Sequence, residues 1–164
     1  EENAPYSSIK TTKVSGLENG AYRIRNLHSG LYLDIPYGST ANGTQLEQYP
    51  NSGGSNQVFI ITEVSTDIYT IRPSYYLSGA VEVENKLTAN NTPVQLWNIV
   101  DNNYLSIRWK ILSNSDGSCR VLSQCSNFNS GLVVAGGSMA AGAKCIQYVY
   151  SGTPNEKWIF EKLQ

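Results

Sequence analysis

Between positions 29 and 59 the sequence reads SGLYLDIPYGSTANGTQLEQYPNSGGSNQVF. This stretch ends a short apolar run on an acid, Asp34, and then makes a turn at Asn42 and Gly43. An alternating run closes on Tyr49, and the amide pair Asn56 and Gln57 opens the next run. These groups suit a polyhydroxylated ligand. A carboxylate accepts hydrogen bonds from two neighbouring hydroxyls, and charged acceptors make the stronger bonds. An amide donates and accepts, as a hydroxyl does. A flat ring covers an apolar C–H face.

Other chemistries find little support. The single histidine, His28, removes most histidine-based catalysis. Cys119, Cys125 and Cys145 have no partners at metal-ligand spacing. Because three thiols cannot all pair within one chain, a disulfide framework is ruled out. Cys119 and Cys145 read as small buried apolar residues. No glycine-rich loop follows a strand and opens a helix, so nucleotide binding is not indicated, and no metal or cofactor is expected. A net charge of −1 gives no reason to expect a nucleic-acid partner. The sequence contains no apolar run long enough to insert in a membrane.

The elements that must carry these groups are short. Charged residues make up only 15% of the chain, which has 11 tyrosines and many Gly, Asn, Ser and Thr residues. Such a mix suits an all-β protein rich in turns. Residues 1–19 have few apolar positions and read as a tail or linker, and 20–164 as one domain. Twelve strands are expected, at 21–26, 31–36, 44–49, 57–64, 67–73, 80–84, 93–97, 107–112, 118–124, 132–135, 144–148 and 157–161. No sustained helical period occurs, so almost no helix is expected.

The strands fall into three sets of four, at about 20–66, 67–116 and 117–164. The opening phrase around Tyr22 recurs around Tyr69 and Cys119, and the turn at 41–44 recurs at 89–92 and 140–143. Phe59, Trp109 and Trp158 close the sets, spaced 50 and 49 residues apart. A repeat of that length is a unit that cannot bury its own apolar face and must assemble with its copies.

Gln57-Val58-Phe59, Ile107-Arg108-Trp109 and Glu156-Lys157-Trp158 stand where a Gln-x-Trp signature would recur. The turn-to-strand phrases at 41–49 and 91–97 repeat as well. In these features the chain resembles the ricin-type β-trefoil lectin domains, a family of carbohydrate-binding modules. The resemblance implies a β-trefoil with three pseudo-threefold repeats. It also implies non-catalytic sugar binding, with galactose-type glycans foremost. A role as the targeting module of a secreted enzyme or toxin follows, with a tethered catalytic or toxin domain as partner. The rival reading is a trefoil inhibitor or receptor ligand acting through its loops. Asp34 and Glu47 could be imagined as a glycosidase pair. That role needs a cleft between larger elements, which a small trefoil lacks, so no enzyme activity is expected.

In the family an acid ends the second strand of each lobe, a Gln-x-aromatic lies on the third, and an Asn-Gln pair precedes the fourth. Lobe one carries Asp34, Glu47, Tyr49, Asn56 and Gln57, with Glu47 where the family often has Gln. Lobe two is less complete. Glu82, Gln95 and Trp97 are present, but Ser106 and Ile107 replace the amide pair, leaving Asn102 and Asn103 as possible substitutes. Alternation with Val81 and Val83 predicts that Glu82 and Glu84 face solvent. In lobe three Ala135 stands at or next to the acid position and Glu156 replaces Gln, so this copy is expected to serve the barrel through Trp158 and Phe160.

Overall fold

The structure, a computed structural model, describes residues 16–164. It is all-β, with thirteen strands in chain order: β1 Gly20–Asn26, β2 Tyr32–Asp34, β3 Thr44–Gln45, β4 Glu47–Tyr49, β5 Phe59–Ser65, β6 Ile68–Pro73, β7 Gly79–Val83, β8 Thr92–Asn98, β9 Trp109–Ser113, β10 Cys119–Ser123, β11 Ser130–Val134, β12 Cys145–Val149 and β13 Trp158–Lys162. The helices among the described residues are 3-10 turns of three residues.

Antiparallel pairing closes a six-stranded barrel in the order β1-β5-β6-β9-β10-β13 and back to β1. Closure leaves no free edge among these strands. Six of the seven remaining strands form three hairpins, β2 with β4, β7 with β8 and β11 with β12, and β3 pairs with β8. This is the β-trefoil.

The extra strand has a local cause. The third strand of lobe one is split at Leu46, whose N–H donates to the Val94 carbonyl (3.0 Å) and whose carbonyl accepts from Cys145 N–H (2.9 Å). Residues 46, 94 and 145 are equivalent positions of the three lobes, so Leu46 leaves its own ladder to bond both siblings. Two buried glutamines extend this joint. The Gln48 amide donates to the Ser138 and Ala140 carbonyls, and the Gln147 amide to those of Leu87 and Ala89.

Alternation along the barrel strands turns Tyr22, Ile24, Phe59, Ile61, Trp109, Ile111, Trp158 and Phe160 into the core, all fully or almost fully buried. Tyr22 and Phe160 meet edge to face, with centroids 5.9 Å apart and planes at 80°, the geometry favoured by ring quadrupoles. Each indole also finds an acceptor, Val81 for Trp109 (3.0 Å) and Leu132 for Trp158 (2.8 Å). Ahead of the barrel, Leu17 is buried, and its backbone N–H and carbonyl both bond the Tyr69 hydroxyl. The proposed tail at 1–19 therefore packs at its last residues, while positions 1–15 lie outside the described part.

The recurring turn places residues 43, 91 and 142 in left-handed backbone, with φ of 88°, 68° and 86°. Gly, Asn and Gly occupy them, the residues that tolerate that conformation best. Asn42 also serves the joint between lobes: its Oδ1 accepts from Asn98 N–H (2.7 Å), as Asn90 Oδ1 accepts from Val149 N–H (2.8 Å). All three cysteines are free, with Cys119 and Cys145 buried. Burial pushes the Cys119 thiol up to about 12 and the Cys145 thiol upward as well.

Candidate functional site

Each hairpin presents the same geometry: an acid position, its cross-strand partner, a 3-10 turn after the acid, and a second 3-10 turn before the next barrel strand. In lobe one Asp34 ends β2 and lies opposite Glu47 on β4. The turn Ser55–Gln57 brings the amide pair to the same carboxylate. Asp34 Oδ2 accepts from Gln57 Nε2 (2.9 Å) and Asn56 Nδ2 (3.2 Å). Oδ1 accepts neither amide. Asn56 also donates to the Ile35 carbonyl, and Gln57 to that of Pro50. The Asp34 side chain is thus nearly buried and rigidly held, and it lies in the wall of a groove that also includes Glu47, Tyr49 and Asn56. Gln57 is fully buried behind Asp34 and orients it rather than lining the groove. Tyr49 is 46% exposed, a ring free to stack.

Burial, and then a hydrogen bond to Asp34 and its charge, raise the Glu47 carboxyl above its ordinary range, against the opposing pull of Lys144 (3.6 Å). Protonated Glu47 donates to Asp34, which is what Gln95 does for Glu82 in lobe two without needing a proton. Ionised Glu47 instead sets a second negative charge beside Asp34. Its contribution to stability is therefore fully present below the usual carboxylate range and lost as pH rises through the raised value. Glu47→Gln is expected to remove that loss, so that thermal melts of variant and parent agree near pH 4 and the variant melts higher near pH 7. The Lys144 pair given up is partly exposed and worth little. A variant melting lower than the parent at pH 7 counts against this account.

Lobe two repeats the arrangement with different residues. Glu82 lies opposite Gln95, accepts from its Nε2 (2.9 Å), and accepts from Ser106 Oγ (3.0 Å). The expectation that Glu82 is solvated is wrong: it is 6% exposed. Strand alternation does turn it away from the core, but the face it joins is covered by the Leu105–Ile107 turn and the β8 side chains. Burial raises its carboxyl, partly offset by the two hydrogen bonds. The replacement for the amide pair is Ser106 itself. Asn102 is engaged by Arg72 Nη2 (2.8 Å), and Asn103 donates its N–H to Asp101. Trp97, 38% exposed, joins Glu82, Lys86, Tyr104 and Ser106 in lining a groove.

In lobe three the strand register places Val133, not Ala135, at the acid position, opposite Ile146. Ala135 instead opens the following 3-10 turn, where Pro36 and Glu84 open theirs. Asn155 still donates to the Val134 carbonyl (3.0 Å), and buried Glu156 accepts from the Ser151 and Gly152 N–H groups (both 2.8 Å). The loop scaffold is kept while the acceptor for a ligand is gone.

Sequence reasoning missed two tyrosines of the lobe-one groove, Tyr37 and Tyr75. Tyr75 comes from the second repeat, and its hydroxyl donates to the Ser39 carbonyl (2.6 Å). Cys125 reaches the Leu87 carbonyl in the same way (3.8 Å), so each contact anchors the loop of the preceding lobe. Burial and then the Asp34 charge push the Tyr75 phenol up to about 12. The repeat pattern hid this residue, because its equivalents are His28 and Cys125, which are of different residue types.

Comparison with known proteins agrees with this fold. A family model described as ricin-type beta-trefoil lectin domain-like matches residues 12–97. The clotting factor G alpha subunit of Tachypleus tridentatus is 38% identical over 53 residues, which are 32% of this chain and only 8% of that protein. Among solved structures, the designed threefold-symmetric protein ThreeFoil is 29% identical with a TM-score of 0.82, covering 88% of this chain and 99% of that one. The ricin B-like lectin of Macrolepiota procera, solved in complex with lactose, is 19% identical with a TM-score of 0.74, covering 93% of this chain and 100% of that one.

Proposed function

The chain belongs to the ricin-type β-trefoil lectin domain-like family, a carbohydrate-binding fold, and from that premise we propose that it binds galactose-type glycans without catalysis, as the targeting module of a secreted enzyme or toxin. Lobe one is the principal site and lobe two a second one. The observation that carries this reading is the buried carboxylate of Asp34, held by two amides beside an exposed ring. Such a group has few uses in a fold, where a well-packed apolar residue does as well. Lobe three makes the point internally, since Val133 fills the same position without disturbing the hairpin.

Galactose is favoured because the Macrolepiota lectin was solved with lactose, a galactoside. The targeting role draws on the Tachypleus relative, of which the matching segment is a small part. Secretion is read from that relative's name, a clotting factor. Among the described residues no helix is long and apolar enough to cross a membrane. Glycosidase chemistry fits poorly, because Asp34 and Glu47 are cross-strand neighbours on one wall rather than carboxylates facing each other across a bond.

A glycan array with the purified chain tests the reading, followed by calorimetry with lactose. Binding to terminal galactosides is expected, with a stoichiometry that approaches two sites. Trp97→Ala should bring it down to one. A blank array, or binding that survives loss of both Asp34 and Glu82, sinks the proposal and favours a protein ligand acting through the loops.

A further inference from the structure

Tyr37 stands at the centre of the 3-10 turn that follows Asp34, with φ 57° and ψ 18°. Left-handed backbone costs a residue with a β-carbon about 1–2 kcal/mol. The two sibling turns place Asn85 (φ 52°) and Gly136 (φ 63°) at this point, residues that bear the conformation more easily. Tyr37 recovers nothing from packing, since its side chain is fully exposed, and it makes no side-chain hydrogen bond within the described residues. Folding therefore gives no reason for a tyrosine here.

The turn itself is firmly set. Gly38 N–H bonds the Ile35 carbonyl (3.0 Å), Ser39 N–H bonds that of Pro36 (3.2 Å), and the Tyr75 hydroxyl clamps Ser39 from the next repeat (2.6 Å). Asn56, which holds Asp34, also holds Ile35 (3.0 Å). The turn is thus tied to the amide that positions the acid. Tyr37 and Tyr49 both line the groove, one on the turn beyond Asp34 and one on β4.

We propose that Tyr37 is the platform for a second sugar unit, so that lobe one recognises a disaccharide rather than a single residue. The inference rests on the reading of lobe one as a sugar site. The first unit occupies the groove at Asp34, Asn56 and Tyr49, and the unit linked to it lays its C–H face on the Tyr37 ring. The backbone that carries the ring is already fixed, so the contact orders only the two side-chain torsions of a tyrosine, a low entropy cost for the area it offers. Lobes two and three lack the ring at this position, so the preference belongs to lobe one alone.

The test is calorimetry with galactose and with lactose on the parent chain, Tyr37→Asn and Tyr37→Phe. Asn is the residue of the lobe-two turn and keeps the backbone. Lactose affinity at lobe one is expected to fall about threefold to tenfold in Tyr37→Asn, while galactose affinity stays within about twofold and Tyr37→Phe retains lactose binding. Trp97→Ala in all backgrounds isolates lobe one. Equal loss for both sugars, or no change for either, overturns the second-unit platform while leaving the sugar site in place. Failure of the parent to bind either sugar overturns the site and the platform together.

Discussion

Asp34→Ala is expected to lower the affinity of lobe one for its glycan by at least about a hundredfold, while the protein stays folded. Hydrogen bonds to a charged acceptor contribute about 1.5–3 kcal/mol each, and a carboxylate serves two neighbouring hydroxyls. Removing it takes away both. The fold tolerates the loss because each amide that binds Asp34 keeps another acceptor, Ile35 for Asn56 and Pro50 for Gln57. Val133 shows that the hairpin also stands with an apolar side chain at this position. Asp34→Asn preserves shape but exchanges a charged acceptor for a neutral one, so an intermediate loss is expected. Calorimetry with the best array hit, in a Trp97→Ala background, measures lobe one alone. Full affinity in Asp34→Ala there means that the site has been placed on the wrong residue.

Trp109→Ala is expected to be the most damaging single change to stability. Truncating a buried tryptophan costs about 3–5 kcal/mol through lost contacts and the cavity left behind. Domains of this kind are stable by only about 5–15 kcal/mol in total. The indole is fully buried, and its Nε1 donates to the Val81 carbonyl at 3.0 Å. Trp109→Phe copies lobe one, where Phe59 does the same packing without a donor. It should cost less, about 1–3 kcal/mol, mainly through the orphaned Val81 carbonyl. Val81 adjoins Glu82, so the variant also reports whether lobe two depends on that backbone. Urea unfolding of the three proteins measures both differences. A Trp109→Ala midpoint equal to the parent's would show that the closing rings are not what holds the repeats together.

Phe59, Trp109 and Trp158 announce themselves in the chain because the three lobes must supply equivalent rings to one shared core. Any position under that constraint repeats, and repetition is visible in a linear sequence. Asp34 and Tyr49 were legible for a related reason: the 15-residue spacing from acid to ring recurs from Glu82 to Trp97, while Asn56 and Gln57 stand just before Phe59. The ring recurs in every copy, as Trp97 and Tyr148, but the acid and the amides are missing from some copies, which marks them as dispensable to the barrel. Glu82 was found by the same counting, but its surroundings were misread. Alternation tells which face of a strand a residue joins, and it is silent on whether another element covers that face. Ala135 was a misplacement by two residues, since the register that pairs Val133 with Ile146 is a property of the hairpin and not of the local pattern.

From the sequence alone follow the all-β class, the threefold repeat, the closing rings and the polar set of lobe one, because each depends on residue type and spacing within a single unit. The tertiary structure decided which elements meet in space, both within a unit and between units. It split β3 from β4 at Leu46, buried Glu82 under a neighbouring turn, substituted Ser106 for the missing amide, and brought Tyr75 from the second repeat into the groove of the first. Those relations arise when strands distant in the chain close into a barrel, and closure brings together residues that no local period connects.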